Sequence, residues 1–145
     1  MRTIIQRVKN AKCEINNKLT GEISYGLLVF VGFTEGDSID QIQKMAKKIV
    51  NLRIFNDEND KMNKSVLDVK GNILSISQFT LYANTNGGNR PSFIEAMEPS
   101  KALQMYQLFN KELSKYNINV ETGIFGEEMM ISLTNLGPVT ILLEF

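Results

Sequence analysis

Gly26-Leu27-Leu28-Val29-Phe30-Val31-Gly32-Phe33 is the stretch that decides the fold, because it is the longest apolar run in the chain. A membrane-spanning helix needs ~20 apolar residues, and this run is much shorter than that. Its length is instead typical of a buried strand. The run is preceded by the turn signal Tyr25-Gly26 and followed by the loop signal Gly36-Asp37-Ser38. We therefore expect a buried strand over residues 27–33.

Further strands and two helices are predicted on both sides of this run. A hairpin turn is indicated at Asn16-Asn17, since asparagine tolerates positive φ. One amphipathic helix follows the N-cap signal of Ser38, and a second begins at Pro99. The segment from Asn56 to Lys64 is polar and is expected to be a loop. The pattern predicts strands over 2–9, 11–15, 19–23, 27–33, 72–81, 118–122, 129–134 and 139–144, and helices over 39–50 and 99–115.

The short connections between these strands favour a mostly antiparallel arrangement. We expect one domain over residues 1–145 of the α/β class (α+β type), with a barrel-like or sandwiched sheet and two main helices outside it. The terminal run Val139-Thr140-Ile141-Leu142-Leu143 needs cover on both faces. A dimer interface is one way to supply that cover.

The composition excludes several classes of function. The chain has no histidine, which excludes Ser-His-Asp and Cys-His catalysis and zinc sites built on imidazole. The 16 basic residues equal the 16 acidic ones, so we expect no DNA duplex as a partner, and any RNA contact to be confined to one end of the molecule. Cys13 has no internal disulfide partner, and no secretory or membrane segment is visible, so a cytoplasmic protein without metal is expected.

The segment Ser77-Gln78-Phe79-Thr80-Leu81 is the first candidate site. Strand alternation would place Ser77, Phe79 and Leu81 on one face and Gln78 and Thr80 on the other. The end of a strand also leaves N–H groups that can stabilise an oxyanion. An ordinary strand whose hydroxyls are satisfied by neighbouring carbonyls remains the alternative.

Three other segments combine unusual residues with ordinary explanations. Asn135-Leu136-Gly137-Pro138 offers accessible carbonyls and a fixed φ, but it also fits a simple turn. Arg90 in Arg90-Pro91-Ser92-Phe93 is suited to phosphate binding or to a surface salt bridge. Met129-Met130 is consistent with core packing as well as with ligand contact, and Cys13 with simple burial.

Taken together, these motifs resemble those of the D-aminoacyl-tRNA deacylase family. The Ser-Gln-Phe-Thr-Leu, Asn-Arg-Pro-Ser-Phe and Asn-Leu-Gly-Pro-Val-Thr segments carry the resemblance, which extends over essentially the whole chain from Gln6-Arg7-Val8 to the final strand. A related animal deacylase has Pro-Gln-Ala-Thr-Leu in place of the first motif. Ser77 and Phe79 therefore favour the branch that acts on D-amino acids.

The resemblance implies a homodimer with its active sites at the subunit interface. In that family the Gly-Pro peptide, here Gly137-Pro138, is cis and reaches into the partner's pocket, with Arg7 as its support. The catalytic motif corresponds to Ser77, Gln78, Phe79 and Thr80, with Phe79 near the terminal adenosine, and pocket residues correspond to Met129 and Ala102. Family members often have a lysine before Gly-Asn-Arg-Pro, where this chain has Asn86-Gly87-Gly88. A basic RNA contact is then missing or is supplied from elsewhere, such as Lys61 or Lys64.

The expected reaction is hydrolysis of the ester of D-aminoacyl-tRNA without any cofactor. A vicinal ribose hydroxyl can replace the missing histidine, so Thr80 is expected to orient the substrate and not to attack it. Carbonyls of Gly137 and Pro138 would exclude an L side chain but not glycine, so glycine mischarged on tRNA(Ala) is also an expected substrate. A non-catalytic module that binds an RNA 3′ end or a nucleotide, and a purely structural dimeric β-protein, are the alternatives.

Overall fold

The computed structural model describes all residues 1–145 and contains eight strands, two α-helices and one short 3-10 turn. The two predicted helices are both present. In chain order the elements are β1 Arg2–Ile15, β2 Lys18–Ile23, β3 Gly26–Gly32, α1 Ile39–Val50, β4 Phe55–Asn56, β5 Met62–Lys64, β6 Asn72–Ser77, the 3-10 turn Phe79–Tyr82, α2 Pro99–Ser114, β7 Val120–Thr122 and β8 Met130–Glu144.

Strand β1 is the centre of the sheet and pairs with three other strands. The predicted turn between β1 and β2 is confirmed, with φ of 50° at Asn16 and 62° at Asn17. One edge of β1 pairs with β2 and β3, and the other edge pairs antiparallel with β8 along most of its length. The chain does not break near residue 10, where two separate strands were predicted, because both halves of β1 pair with the same partner β8.

The sheet is mostly antiparallel, as predicted, because β1 pairs in this way with β2, β3 and β8, but it also contains two parallel pairs that the sequence did not indicate. Its order is β2-β1-β3-β6-β7, with β8 also paired to β1. The pairs β3–β6 and β6–β7 are parallel, because α1 and α2 each lie in a crossover connection that returns the chain in the same direction. The path nearly closes into a barrel, since a Cβ on Gly21 of β2 would lie 2.8 Å from the Thr122 carbonyl of β7.

The two helices pack together over one face of the sheet. Ser38 caps α1 in a capping box with Gln41. Of the apolar positions at helical spacing, Ile39 is exposed at the start of the helix, and the buried ones are Ile42, Met45, Ala46, Ile49 and Val50. A second, smaller apolar cluster lies on the other face of the sheet and includes Cys13, Leu28 and Ile76. Neither helix is long and apolar enough to cross a membrane.

Three local predictions were wrong. Strand β6 ends at Ser77 and the chain turns into the 3-10 helix, where the strand was expected to continue to residue 81. The predicted strands 129–134 and 139–144 form one strand, β8, that runs through Gly137 and Pro138. The segment 56–64 contains the short hairpin of β4 and β5, because Asp57 accepts hydrogen bonds from Asn59, Lys61 and Asn63 and closes the turn.

Candidate active site

A cavity of about 580 Å³ opens at the carboxyl ends of the parallel strands β3 and β6. This edge of a parallel sheet is where ligands commonly bind, because the chain leaves the sheet there in several directions. Most of the residues around the cavity are apolar. The lining consists of Val31, Gly32, Phe33, Ile76, Ser77, Gln78, Phe79, Phe93, Ala96, Met97, Glu98, Pro99, Ala102, Phe125, Gly126, Glu127, Met129 and Ile131.

The turn that follows β6 gives the first motif its geometry. The backbone N–H of Gln78 donates to the Val31 carbonyl at 2.7 Å, and the Gln78 side chain donates to Oγ1 of Thr80. Because the turn replaces a strand, the predicted alternation of faces is wrong: Ser77, Gln78 and Phe79 all line the cavity, while Thr80 is exposed beside it. The first N–H groups of the turn, those of Phe79 and Thr80, have no intrahelical acceptor.

Two phenylalanines form the mouth of the cavity. The Phe79 ring is 58% exposed and meets the Phe93 ring edge to face at 5.0 Å. Such a pair offers an apolar surface on which a flat ring can stack. The loop between Phe79 and Phe93 folds back on itself, because the backbones of Asn84 and Ser92 each donate an N–H to the carbonyl of the other. Its Arg90 is exposed and takes part in none of the ion pairs, so the expected surface salt bridge does not form.

The cavity wall contains no cation and no base close to a nucleophile. Its ionisable residues are Glu98 and Glu127. The Glu98 carboxylate caps α2, and hydrogen bonds from the hydroxyl and N–H of Ser100, followed by the N–H of Lys101, hold its pKa below the usual range. Ser77 is the only hydroxyl in the lining. The wall can therefore bind and orient a ligand, but it lacks the partner groups of a serine esterase.

A buried tyrosine lies behind the cavity and was not identified from the sequence as part of the site. The Tyr106 hydroxyl donates to the Ser75 carbonyl at 2.7 Å, two residues before Ser77, and its ring packs against Phe125. Burial raises the pKa of Tyr106, which keeps the phenol neutral as a hydrogen-bond donor. Its only sequence signal was an apolar position on α2, which does not distinguish a tether from core packing.

The motif Asn135-Leu136-Gly137-Pro138 forms a bulge in β8, away from the cavity lining. Gly137 and Pro138 are exposed, their peptide bond is cis, and Gly137 has a φ of 130°. Arg7 is almost fully buried beneath them and donates to the carbonyl of Leu136 at 2.9 Å, to the carbonyl of Ile54 at 2.7 Å and to Oδ1 of Asn56 at 3.1 Å. An ordinary turn is therefore the wrong description of this segment.

The structure thus divides the predicted site residues into two groups. Ser77, Gln78, Phe79, Ala102 and Met129 meet around the cavity, with Thr80 next to them. Gly137, Pro138 and Arg7 meet at the bulge and contribute nothing to the lining of the same chain's cavity.

Lys61 and Lys64, which were predicted to replace the missing basic contact to RNA, lie on the β4–β5 hairpin. Lys64 is paired with Glu58, whereas Lys61 takes part in no ion pair. The hairpin is joined to the bulge, since Arg7 binds both Asn56 and Leu136. A basic contact from this hairpin would therefore accompany the bulge and not the cavity.

The chain matches known proteins over nearly its full length. The family model for D-Tyr-tRNA(Tyr) deacylase matches residues 4–144. D-aminoacyl-tRNA deacylases from Lactobacillus gasseri and Thermosipho africanus are 54% and 51% identical over 144 residues, which is 99% of this chain in both cases and 99% and 97% of the relatives.

Two solved structures have the same fold. A c-Myc DNA unwinding element binding protein superposes with a TM-score of 0.94 at 36% identity, covering 100% of this chain and 99% of the other. A probable eukaryotic D-amino acid tRNA deacylase superposes with a TM-score of 0.83 at 16% identity, covering 98% and 97%, and this second likeness bears on the fold alone.

Proposed function

The chain belongs to the D-Tyr-tRNA(Tyr) deacylase family and is a D-aminoacyl-tRNA deacylase, and from this premise we propose how its site is assembled and how it selects its substrate. Two copies of the chain form a two-fold dimer with two equivalent sites. Each cavity receives the Gly137-Pro138 bulge of the other copy. The cavity binds the terminal adenosine and the ester, and the bulge tests the configuration of the amino acid.

The separation of the two motifs is the observation that carries this proposal. Gly137 and Pro138 are exposed and do not line their own chain's cavity, so they can act on a bound ester only from a second copy. The exposed sheet face beside the bulge is apolar enough to be covered: Phe30, Ile4 and Leu142 are paired neighbours in a row across β3, β1 and β8, and Leu142 is 58% exposed. A two-fold contact buries this row on both copies.

The chemistry follows from what the cavity wall lacks. No base activates Ser77, so the protein contributes orientation and charge stabilisation, and the vicinal ribose hydroxyl of the RNA assists the attacking water. The N–H groups of Phe79 and Thr80 stabilise the oxyanion, and one such donor is worth about 3–4 kcal/mol. Phe79, with Phe93 against it, stacks on the adenine, and Arg90 is available for a backbone phosphate.

The chiral filter depends on the backbone of the bulge. With carbonyls of Gly137 and Pro138 directed at the substrate's Cα, the side chain of an L-amino acid meets the wall, whereas that of a D-amino acid points away. Glycine has no side chain and passes. Glycine mischarged on tRNA(Ala) is therefore a substrate as well.

Deacylation of matched tRNAs tests this proposal. The enzyme should release tyrosine from D-tyrosyl-tRNA and glycine from glycyl-tRNA(Ala), and should leave L-tyrosyl-tRNA intact. The same D-tyrosyl-tRNA ending in 2′-deoxyadenosine should react much more slowly, because the assisting hydroxyl is gone. Equal rates on both termini would overturn the RNA-assisted step, and equal rates on D and L esters would overturn the filter.

Light scattering tests the assembly. At micromolar concentration the protein should have twice the 16.4 kDa mass of the chain. A fully active monomer would exclude the shared site.

A second candidate function comes from the solved relative named for binding a DNA unwinding element. The balanced charge of this chain and the absence of cations from its cavity wall favour the RNA-end substrate over a duplex. A titration of labelled DNA duplex at 50 mM and 200 mM salt would distinguish the two. Tight, strongly salt-dependent duplex binding would support the DNA role.

A further inference from the structure

The side chain of Asn135 closes the bulge that carries Gly137 and Pro138. Its Oδ1 accepts the Val139 N–H at 2.9 Å, and its Nδ2 lies 3.3 Å from the Val139 carbonyl and 3.1 Å from Oγ1 of Thr140. The carboxamide therefore binds the N–H and the carbonyl of the same residue, as a backbone peptide does in an antiparallel pair. Asn135 and Val139 become the two ends of a closed loop.

This closure is needed because the sheet does not hold the loop. Val8 pairs with Asn135 and Gln6 pairs with Thr140, so residues 136–139 of β8 face the single residue Arg7 of β1. Regular ladder bonds cannot form across such a mismatch. The loop is held instead from two sides, by the Arg7 guanidinium at Leu136 and by the Asn135 carboxamide at Val139.

Asn135 is itself held in place from the neighbouring strand. Oγ1 of Thr140 accepts from the Asn135 carboxamide and also from Nε2 of Gln6 at 3.2 Å. The three side chains form a short chain of hydrogen bonds that crosses from β8 to β1 on the exposed face of the sheet. A carboxamide with both ends bonded has one orientation, which fixes the direction of the loop it closes.

We propose that Asn135 is a positioning residue for the chiral filter, with Thr140 and Gln6 as its supports, and we call these three side chains the clamp. This inference rests on the proposed role of Gly137 and Pro138. The Asn135 carboxamide touches no substrate atom; it sets where the two wall carbonyls point. Its loss releases one end of the loop, and a displaced wall rejects L esters less well and aligns D esters less well.

The test measures the ratio of kcat/KM on D-tyrosyl-tRNA to that on L-tyrosyl-tRNA, with Tm recorded for each variant. Asn135→Ala should reduce this ratio about tenfold or more. Asn135→Asp keeps the acceptor for the Val139 N–H and loses the donor, so its ratio should fall by less. Thr140→Val should reduce the ratio about threefold, and Thr140→Ser, which retains the hydroxyl, should restore the parent value.

Thr134→Val is the matched control. Oγ1 of Thr134 donates to Oδ1 of Asn10 at 3.2 Å, so this variant removes a similar exposed bond between the same two strands, one residue before Asn135 and outside the closed loop. Its D-to-L ratio should equal the parent's. A general effect of loosening β8 would lower the ratio in this control as well and would overturn the specific role of Asn135.

The outcomes separate this inference from the proposed function. If the parent enzyme itself shows no preference for D esters, the filter and the clamp both fail. If the parent is selective and Asn135→Ala and Thr140→Val keep its ratio, the clamp alone fails. Should Asn135→Ala not fold, Asn135→Asp and Thr140→Val decide: a reduced ratio with an unchanged Tm supports the clamp, and an unchanged ratio refutes it.

Discussion

The cavity at Phe79 and the bulge at Gly137 are built in opposite ways. The cavity lies in the parallel half of the sheet, where two crossovers leave a recess lined by side chains. The bulge lies in the antiparallel half, where four residues of β8 face one residue of β1 and where Gly137 and Pro138 are exposed to the solvent. One region is a concave receptor and the other is a convex probe. Because the probe does not line the receptor of its own chain, the proposed site needs the probe of a second copy.

The largest effect is expected at the tip of the probe. A Cβ on Gly137 would lie 2.8 Å from an Arg7 guanidinium nitrogen and 2.9 Å from a Val139 methyl, at a φ that disfavours other residues. Gly137→Ala should therefore displace the loop and lower single-turnover deacylation of D-tyrosyl-tRNA roughly 100-fold. The control is Gly87→Ala, whose added methyl meets nothing within 4 Å. Comparable rates for the two variants would break the assignment of the bulge to the site.

A smaller effect is expected from filling the receptor. Ala102 lines the cavity on α2, so Ala102→Phe occupies part of the space for the ligand and should raise KM about tenfold, with little effect on folding. Gln104→Phe adds the same ring to an exposed position of the same helix, outside the lining, and should leave KM unchanged. Identical KM values for both variants and the parent would show that the ligand binds elsewhere.

The hydroxyls beside the cavity should have modest effects. Ser77 lines the wall without a base, and Oγ1 of Thr80 accepts a hydrogen bond from Gln78, so neither is activated for attack. Ser77→Ala and Thr80→Ala should each reduce kcat less than about tenfold. Acid-quench mass spectrometry of the parent with substrate should find no acylated chain. An acyl group on either residue would replace the RNA-assisted account with covalent catalysis.

The smallest effect concerns the anchoring of α2 at the cavity rim. Hydrogen bonds from Ser100 and Lys101 lower the pKa of Glu98 in the folded protein, so its contribution is complete above the ordinary carboxyl pKa near 4.5 and is lost as pH falls below that value. The Tm of the parent should therefore fall with acid, and Glu98→Gln should fall less steeply. Parallel Tm curves for the two proteins between pH 3 and 6 would show that this cap is not the titrating group.

The sequence predicted the helices and strands better than it predicted the pairing of the strands and the turns between elements. Apolar spacing and the Ser38 and Pro99 signals were sufficient for both helices, since capping and amphipathicity are local properties. The parallel pairing of β3 with β6 could not be predicted from short-range patterns, because it depends on how α1 packs across the sheet. The turn at residues 79–82 was also missed. Its residues have ordinary strand propensities, and only the hydrogen bond from Gln78 to Val31 reveals where β6 ends.

The site was predictable to the extent that its residues formed contiguous motifs. Ser77 to Phe79, Ala102 and Met129 do meet around one cavity. Phe125 and Tyr106 carried no separate signal, because an aromatic residue on an apolar face usually packs in the core. Asn135 belonged to a candidate segment, but an asparagine near a proline has common structural roles, so the function of its carboxamide was not predicted. Their contribution emerges from contacts between segments that are distant in sequence, such as that of Tyr106 with Ser75.

Mixing the two impaired variants Gly137→Ala and Ala102→Phe, with substrate kept well below the parent KM, tests most directly whether the probe of one copy enters the receptor of the other. In a dimer of Gly137→Ala with Ala102→Phe, the intact cavity of the first chain faces the intact bulge of the second. Random exchange makes about half of the dimers mixed, each with one complete site, so the mixture should regain about one quarter of the parent activity on D-tyrosyl-tRNA. An activity no greater than the sum of the two separate variants would contradict a site shared between copies.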